Sequence, residues 1–256
     1  MNILDRIVAA AKERVERDKK TGLPDQIAHS APVPFRFEQN LRRPDTAFIC
    51  EVKKASPSKG VIDEAFPYLK IAREYEAAGA AAISVLTEPE FFLGSDRVLA
   101  EIREAVRIPL LRKDFIIDPF QIEQAARLGA DAVLLICAIL TPVQLAGYIA
   151  EADRLGLSCL VEAHDGEEMK TALKAGARVI GVNNRDLKTF NVDTANSIRL
   201  RKLAPDGILF VSESGIRTAE DVELLRRNGI SAVLVGEALM RAPDKKAALA
   251  ALRGVS

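Results

Sequence analysis

From residue 47 onward, short apolar segments alternate with amphipathic segments along the chain. The apolar segments are rich in Val, Ile and Leu, which is typical of parallel strands buried on both faces. Several amphipathic segments have helical spacing and end at a glycine, as helices do before the chain enters the next strand. The predicted strands are residues 47–53, 81–86, 109–113, 132–137, 158–162, 179–183, 207–212 and 232–236.

This alternation predicts an α/β protein, a (β/α)8 TIM barrel with extra N-terminal helices. The alternative is an open, doubly wound sheet, but the G-x-G-x-x-G turn that usually follows the first strand of such a sheet is missing. We therefore expect a single domain over residues 1–256, in which 1–45 is an N-terminal helical extension and 46–256 is the barrel.

The segment before the repeat has a helical pattern of its own. Residues 3–19 predict a helix, and a second short helix is expected within PVPFRFEQNLRR, residues 32–43. At this length the segment is expected to cover the barrel rather than to fold separately. The apolar stripe of the first helix consists of Ile3, Leu4, Ile7, Val8, Ala11 and Val15.

Composition narrows the class of protein. Of the 256 residues 48% are hydrophobic, and the 36 Lys and Arg equal the 36 Asp and Glu, so the sequence predicts neither a nucleic-acid partner nor a polybasic membrane partner. No signal-peptide pattern and no apolar run of about 18 residues is present, which leads us to expect a cytoplasmic protein. The three cysteines lie inside apolar runs without CxxC spacing, so neither metal ligands nor disulfides are expected; they are Cys50, Cys137 and Cys159.

Charged side chains stand at the carboxyl ends of the predicted strands, where TIM barrels carry their chemistry. Glu51 and Lys53 end the first strand and share one face, because they are two residues apart. Lys113 ends the third strand and Glu162 the fifth. A single charge at such a position is usually solvated, but converging opposite charges perturb one another's pKa values, as acid–base catalysis requires. The other polar residues predicted at this mouth are Asn183, Arg185, Ser212 and Ser214.

Two glycine-containing turns after the last two strands predict a phosphate site. They read SESGI and LVGEALM, and they place Gly215 and Gly236 where helices begin, so that backbone N–H groups face an anion. Ser56 adds a hydroxyl donor, and the Glu237 carboxylate must turn away if its backbone is to serve. The remaining candidates are interpreted as incidental: Lys54, Lys59, His29 and His164.

Specific motifs recur at the strand ends in a fixed order. They read EVKKASPSKG, FFLGS, LLRKDFIIDPFQI, LVEAHD, IGVNNRDLKTF, SESGI and LVGEALM. Together they resemble the indole-3-glycerol-phosphate synthase family over nearly the whole chain. The resemblance implies a TIM barrel whose N-terminal helices help to cover the substrate, with no cofactor. It implies catalytic or substrate-contacting roles for Glu51, Lys53, Lys113, Glu162, Asn183 and Ser214, contact with the anthranilate part for Arg185, and phosphate contacts for Ser56, Gly215, Gly236 and position 237.

The reaction implied by this resemblance belongs to tryptophan biosynthesis. It closes 1-(2-carboxyphenylamino)-1-deoxyribulose 5-phosphate to indole-3-glycerol phosphate, with loss of carbon dioxide and water. Lys113 suits the acid at the ketone oxygen, and Lys53 can orient the departing carboxylate. Glu51 or Glu162 suits stabilisation of positive charge at the anilino nitrogen. For the dehydration, the acid remains open between Lys53 and Lys113, and the base between Glu51 and Glu162.

Two alternatives to this activity remain at this stage. One is a barrel aldolase or related lyase acting on a sugar phosphate, with Lys113 or Lys53 as a Schiff base. The other is a non-catalytic phosphate-binding barrel, against which the clustered carboxylates argue because they repel an anionic ligand. Each alternative takes a small molecule as its partner. We expect a monomer, and contact with other enzymes of the tryptophan pathway is left open.

Overall fold

The computed structural model describes residues 2–26, 33–185 and 191–255, and its strands and helices alternate along the chain. The strands are β1 (Ala47–Val52), β2 (Ala55–Ser56), β3 (Gly60–Val61), β4 (Ala82–Leu86), β5 (Leu110–Lys113), β6 (Ala132–Ile136), β7 (Ser158–Ala163), β8 (Val179–Asn183), β9 (Leu209–Glu213) and β10 (Ala232–Val235). The helices are α1 (Ile3–Thr21), α2 (Arg36–Leu41), α3 (Tyr68–Ala77), α4 (Asp96–Ala105), α5 (Pro119–Arg127), α6 (Pro142–Arg154), α7 (Gly166–Lys174), α8 (Ala195–Arg201), α9 (Ala219–Arg227), α10 (Glu237–Arg241) and α11 (Lys245–Arg253), with a 3₁₀ turn at Cys137–Ile139. Within the described ranges, no helix is long and apolar enough to cross a membrane.

Eight parallel strands close into a barrel in the order β1-β10-β9-β8-β7-β6-β5-β4. β1 and β10, the first and last barrel strands along the chain, are neighbours in the ring, and Ala47 pairs with Ala232 there. The predicted TIM barrel with N-terminal helices is confirmed, and each predicted strand agrees with an observed one to within two residues at either end. The remaining strands, β2 and β3, form a separate antiparallel hairpin directly after β1.

The helices begin and end where local chemistry favours it. Before α5, the Asp118 side chain accepts a hydrogen bond from the Phe120 backbone N–H at 2.9 Å, and Pro119 occupies the first turn. Soon after the same helix, Gly129 has φ +79°, a conformation that L side chains adopt only with strain. The N-cap and the glycine thus mark where α5 begins and where the chain turns back toward the next strand.

The barrel interior is closed at the amino-terminal ends of the strands by α2. Its Phe37 and Leu41 are buried in the interior cluster, together with residues that begin strands, such as Ala47 and Ala232. A salt bridge holds this helix in place, since Arg178 Nη2, just before β8, lies 2.9 Å from Glu38 Oε1. Therefore α2 supports the fold from the end opposite to the strand carboxyl termini.

Helix α1 lies at the other end of the barrel. Its Arg14 Nη2 lies 2.6 Å from Asp114 Oδ1, in the loop after β5, and Lys19 Nζ lies 2.6 Å from Asp118 Oδ2. The two helices of the extension thus close opposite ends of the barrel. The expectation that both help to cover the substrate side is wrong for α2, because its apolar face packs into the barrel interior at the amino-terminal ends of the strands.

Candidate active site

The carboxyl ends of the barrel strands surround a cavity of about 540 Å³. Except for Ser212, the side chains and glycines predicted at the site line it: Glu51, Lys53, Ser56, Lys113, Glu162, Asn183, Arg185, Ser214, Gly215, Gly236 and Glu237. They come together because parallel strands in a ring end at one mouth. Helix α1 and the β2–β3 hairpin contribute further lining residues.

Lys113 forms the centre of a buried charge cluster. Its Nζ lies 3.6 Å from Glu162 Oε2 and 3.3 Å from Glu213 Oε2. Burial alone would lower the pKa of Lys113, but the carboxylates of Glu213, Glu162 and Glu51 outweigh burial and raise this pKa above its usual value. Lys113 is therefore a cation at every physiological pH.

The two carboxylates beside Lys113 have opposite pKa shifts. Burial would raise the pKa of Glu162, but Lys113 and His164 lower it below the usual range. Burial raises the pKa of Glu213, and the charge of Glu162 adds to this, while Lys113 offsets it only in part. Glu162 is thus ionised, while Glu213 holds a proton more readily than an ordinary carboxylate. The pair supplies both a base and an acid.

Glu51 and Lys53 form an ion pair on the β1 side of the mouth. Their position depends on Gly236 at the end of β10, because a Cβ atom there would lie 2.4 Å from Glu51 Oε1 and 3.2 Å from Lys53 Nζ. Gly236 therefore has a second role besides the predicted one at the phosphate: it leaves room for this pair.

Asn183 and Ser214, at the ends of the neighbouring strands β8 and β9, are joined by a hydrogen bond. Ser214 Oγ donates to Asn183 Oδ1 at 2.9 Å, and the Arg185 backbone N–H donates to the same oxygen at 3.0 Å. Ser214 has φ +68°, a strained conformation for a residue other than glycine, of the kind that clusters at functional sites. The hydrogen bonds of Asn183 thus hold the ends of β8 and β9 in a fixed relation.

The predicted phosphate end lies where the β2–β3 hairpin approaches α10. Glu237 turns its carboxylate toward cations, since Oε1 lies 3.3 Å from Arg241 Nε and 3.6 Å from Lys59 Nζ. This leaves the turns at Gly215 and Gly236 facing the cavity. Lys59, interpreted from the sequence as incidental, therefore lines the cavity and reaches across its rim.

Glu213 is the residue that sequence reasoning missed. The predicted strand ended at Ser212 and put that serine at the mouth, which is wrong, because Ser212 Oγ lies 2.8 Å from Ser197 Oγ and accepts from Asn184 Nδ2 at 3.0 Å, outside the barrel. Val211 belongs to the interior cluster, and alternation along β9 brings Glu213 to the same face. The alternation was the signal available in the sequence.

An apolar wall of the cavity was also missed. Phe92 and Phe115 form an aromatic pair with ring centroids 6.1 Å apart, and both line the cavity. They follow β4 and β5 in loops, where periodicity gives no indication of direction. Further apolar lining residues are Ile3, Leu4, Ile7, Leu134 and Ile136. The cavity thus has an aromatic wall in addition to its charged groups.

The residues of the site offer nitrogen and oxygen groups for a small anionic ligand rather than a metal centre. Within residues 2–26, 33–185 and 191–255, no group of three or more His, Cys, Asp or Glu side chains is arranged to hold a metal ion. The geometry instead supports proton transfer between closely spaced carboxylates and lysines, next to an aromatic wall.

Comparison with known proteins gives consistent results. A family model described as indole-3-glycerol phosphate synthase matches residues 4–252. A protein of that name from Ruminiclostridium cellulolyticum is 60% identical over 257 residues, 98% of this chain and 99% of its own length. Another from Endomicrobium trichonymphae is 55% identical over 244 residues, 93% of this chain and 95% of its own. A solved 3-hexulose-6-phosphate synthase has a TM-score of 0.67 at 15% identity, covering 82% of this chain and 100% of that one, which shows a shared fold alone.

Proposed function

The chain belongs to the indole-3-glycerol phosphate synthase family, and from this we propose how its strand-end side chains divide the work of the reaction. The enzyme is a carboxy-lyase that closes 1-(2-carboxyphenylamino)-1-deoxyribulose 5-phosphate to indole-3-glycerol phosphate in tryptophan biosynthesis. The observation that carries the proposal is the position of Lys113 Nζ between Glu162 and Glu213, at 3.6 and 3.3 Å.

In the ring-closing step, the aromatic carbon that bears the carboxylate attacks the ketone carbon. Lys113 donates a proton to the ketone oxygen, and the proton held by Glu213 replenishes it across 3.3 Å. Positive charge that develops at the anilino nitrogen is stabilised by the ionised Glu162. Loss of carbon dioxide then returns an electron pair to the ring, while Lys53 orients the carboxylate until it leaves.

The dehydration step removes the new hydroxyl group and one methylene proton. The leaving hydroxyl takes a proton from Lys113, which the raised pKa of Glu213 keeps supplied at neutral pH. Glu51 accepts the methylene proton, and Lys53, its ion-pair partner, holds that carboxylate in place. Water and the aromatic indole ring are the products of this step.

The orientation proposed for the substrate follows the two ends of the cavity. The anilino ring packs against Phe92 and Phe115, with Arg185 facing the ring carboxylate. The phosphate accepts hydrogen bonds from Ser56 and from the backbone at Gly215, Gly236 and Glu237. We propose that residues 1–256 act as one domain, since α1 supplies part of the cavity wall. A cytoplasmic monomer is proposed with it, on the sequence pattern alone.

The reaction has an optical test, because the chain contains no Trp and three Tyr. Mixing the enzyme with its anilino substrate should produce growing indole emission, with one carbon dioxide released per indole formed. The signal should persist with a chelator and vanish in the Lys113→Met and Glu162→Gln variants. A Schiff-base aldolase would instead cleave the sugar and leave the anilino spectrum, and a binding protein would show quenching that saturates at one ligand per site.

A further inference from the structure

His164 lies directly behind Glu162, in the loop between β7 and α7. Its imidazole is largely covered, with 20% of the side chain exposed, and it does not appear among the cavity-lining residues. Sequence interpretation treated it as incidental. The groups that surround it indicate a defined role.

Both imidazole nitrogens face carboxylates. Nε2 lies 3.3 Å from Glu162 Oε1, and Nδ1 lies 3.1 Å from Glu168 Oε2. The Nδ1 contact is a hydrogen bond, whereas the Nε2 contact with Glu162 lacks hydrogen-bond geometry and is an ion pair. Because an ionised carboxylate cannot donate, Nδ1 carries the proton of its hydrogen bond, and the second carboxylate beside Nε2 favours the charged imidazolium. Burial alone would lower the pKa of His164, but Glu162 and Glu168 raise it to about 10.

The ring is also fixed from the backbone side. The His164 backbone N–H donates to Glu168 Oε2 at 2.8 Å, the same oxygen that faces Nδ1. From α8, Asn196 Nδ2 donates to the His164 carbonyl oxygen at 3.1 Å. Two further titratable groups lie beside His164 and Glu168: Asp165, which caps α7, and the Cys137 thiol, whose Sγ lies 3.7 Å from the Glu168 carbonyl oxygen. The charged pair Glu167 and Lys170 of α7 is on the surface.

The two oxygens of Glu162 are divided between two cations. Oε1 faces His164 at 3.3 Å, and Oε2 faces Lys113 at 3.6 Å. A carboxylate held from both sides has little freedom to rotate. We propose that His164, anchored by Glu168, is a positioning residue that fixes Glu162 in the orientation that meets Lys113; this rests on the catalytic role proposed above for Glu162.

The first test is a double-mutant cycle between His164 and Glu162. We expect His164→Gln to lower kcat about tenfold with KM nearly unchanged, because a misplaced catalytic group slows chemistry more than binding. In a Glu162→Gln background, the same change should have no further effect on kcat, since it acts through that carboxylate. Glu168→Gln should lower kcat in the same direction. The matched control is Glu167→Gln, one residue earlier on α7, where Glu167 pairs with Lys170 on the surface.

The second test reads the imidazole directly. The chain has two histidines, and the other, His29, lies outside the described residues, so a His29→Ala variant assigns the remaining imidazole signal in a titration followed by NMR. We expect the titration midpoint of the His164 imidazole to lie well above the usual histidine pKa of about 6.5. The midpoint should fall in Glu162→Gln and in Glu168→Gln, and should not move in Glu167→Gln.

The outcomes separate the two proposals. Unchanged kcat in Glu162→Gln would overturn the catalytic role of that residue. A slow Glu162→Gln enzyme together with a tenfold loss from His164→Gln in both backgrounds would overturn only the positioning role, since His164 would then act independently. An ordinary midpoint for His164 in the wild type would also overturn it.

Discussion

At the scale of single residues, the site works by separating the proton affinities of neighbouring groups. Lys113 lowers the pKa of Glu162, while the pKa of Glu213, which it also contacts, stays raised by burial. The difference arises because Glu162 has a second cation beside it, His164, at 3.3 Å. Two carboxylates of the same type thus become a base and an acid through their surroundings.

Replacing Lys113 by Met keeps the aliphatic stem and removes the charge. We expect kcat to fall at least about 100-fold, because the ketone loses its proton donor. Without the cation, the pKa values of Glu162 and Glu213 both rise, so the folded state binds more protons than the unfolded chain above about pH 4.3. The free energy of unfolding measured in urea should therefore fall, relative to wild type, as the pH rises from about 5 to about 8.

The control for that variant is Lys54→Met, one residue beyond Lys53 and on the opposite side of the strand end. Lys54 does not appear among the cavity-lining residues. Its replacement should leave kcat within about twofold, because the half-buried Lys54 side chain does not line the cavity. Equal losses in the two variants would contradict a specific role for Lys113.

Gly181 offers a way to move Glu213 without changing its chemistry. A Cβ atom at Gly181 would lie 2.3 Å from Glu213 Oε1, so Gly181→Ala should push that carboxylate away from Lys113 and lower kcat about tenfold. Gly147→Ala in α6 is the control, since its Cβ would meet nothing within 4 Å. There, alanine should raise the free energy of unfolding by about 0.5–1 kcal/mol, and steady-state kinetics should not change.

At the scale of elements, the β2–β3 hairpin is the part of the rim best suited to move. Its two strands are two residues each, Gly60 and Val61 are exposed, and Lys59 reaches Glu237 at 3.6 Å. Few buried contacts and short pairing mark a segment of low local stability. Closure over the bound phosphate would order this hairpin.

Hydrogen exchange can detect that ordering. With saturating indole-3-glycerol phosphate, the amides of residues 58–61 should exchange several-fold more slowly, because ligand contacts stabilise the closed hairpin. Helix α6, remote from the cavity lining, provides the internal reference. Identical exchange at residues 58–61 with and without product would argue against a moving hairpin.

The two helices of the extension should respond differently to mutation. Phe37→Ala in α2 opens a void among fully buried neighbours and should lower the free energy of unfolding by about 3–5 kcal/mol while KM is unchanged. Leu4→Ala in α1 removes part of the cavity wall and should raise KM with a smaller loss of stability. Urea denaturation and steady-state kinetics on both variants would separate the two effects, and matching profiles would contradict the division.

At the scale of the whole molecule, the sequence was sufficient for the fold because each strand is a contiguous apolar segment followed by a helix. Once the ring was predicted, the predicted site residues had to meet, since the carboxyl ends of all its strands face one mouth. Glu213 was missed because the predicted strand ended one residue early, at Ser212. Alternation from the interior residue Val211 places Glu213, and not Ser212, on the inner face.

Contacts between distant segments were beyond reach of sequence periodicity. Arg14 and Asp114 lie 2.6 Å apart but are far apart in the chain, and each alone resembles a surface residue. Phe92 and Phe115 come from two different loops, and their pairing depends on how those loops fold back. His164 could have been suspected from its spacing of two from Glu162, but only the position of Glu168 on α7 gives it a second partner.

The burial of Phe37 in the barrel interior, at the amino-terminal ends of the strands, has a consequence for biosynthesis on the ribosome. The ring closes only when Ala232 pairs with Ala47, so the interior that buries Phe37 is incomplete until the last strand has been made. At a translation rate of about 5–20 residues per second, this delay lasts roughly 10–40 s. Throughout it, the apolar face of α2 and the unpaired edge of β1 remain open to wrong partners, and we expect the nascent chain to depend most on chaperones in this interval.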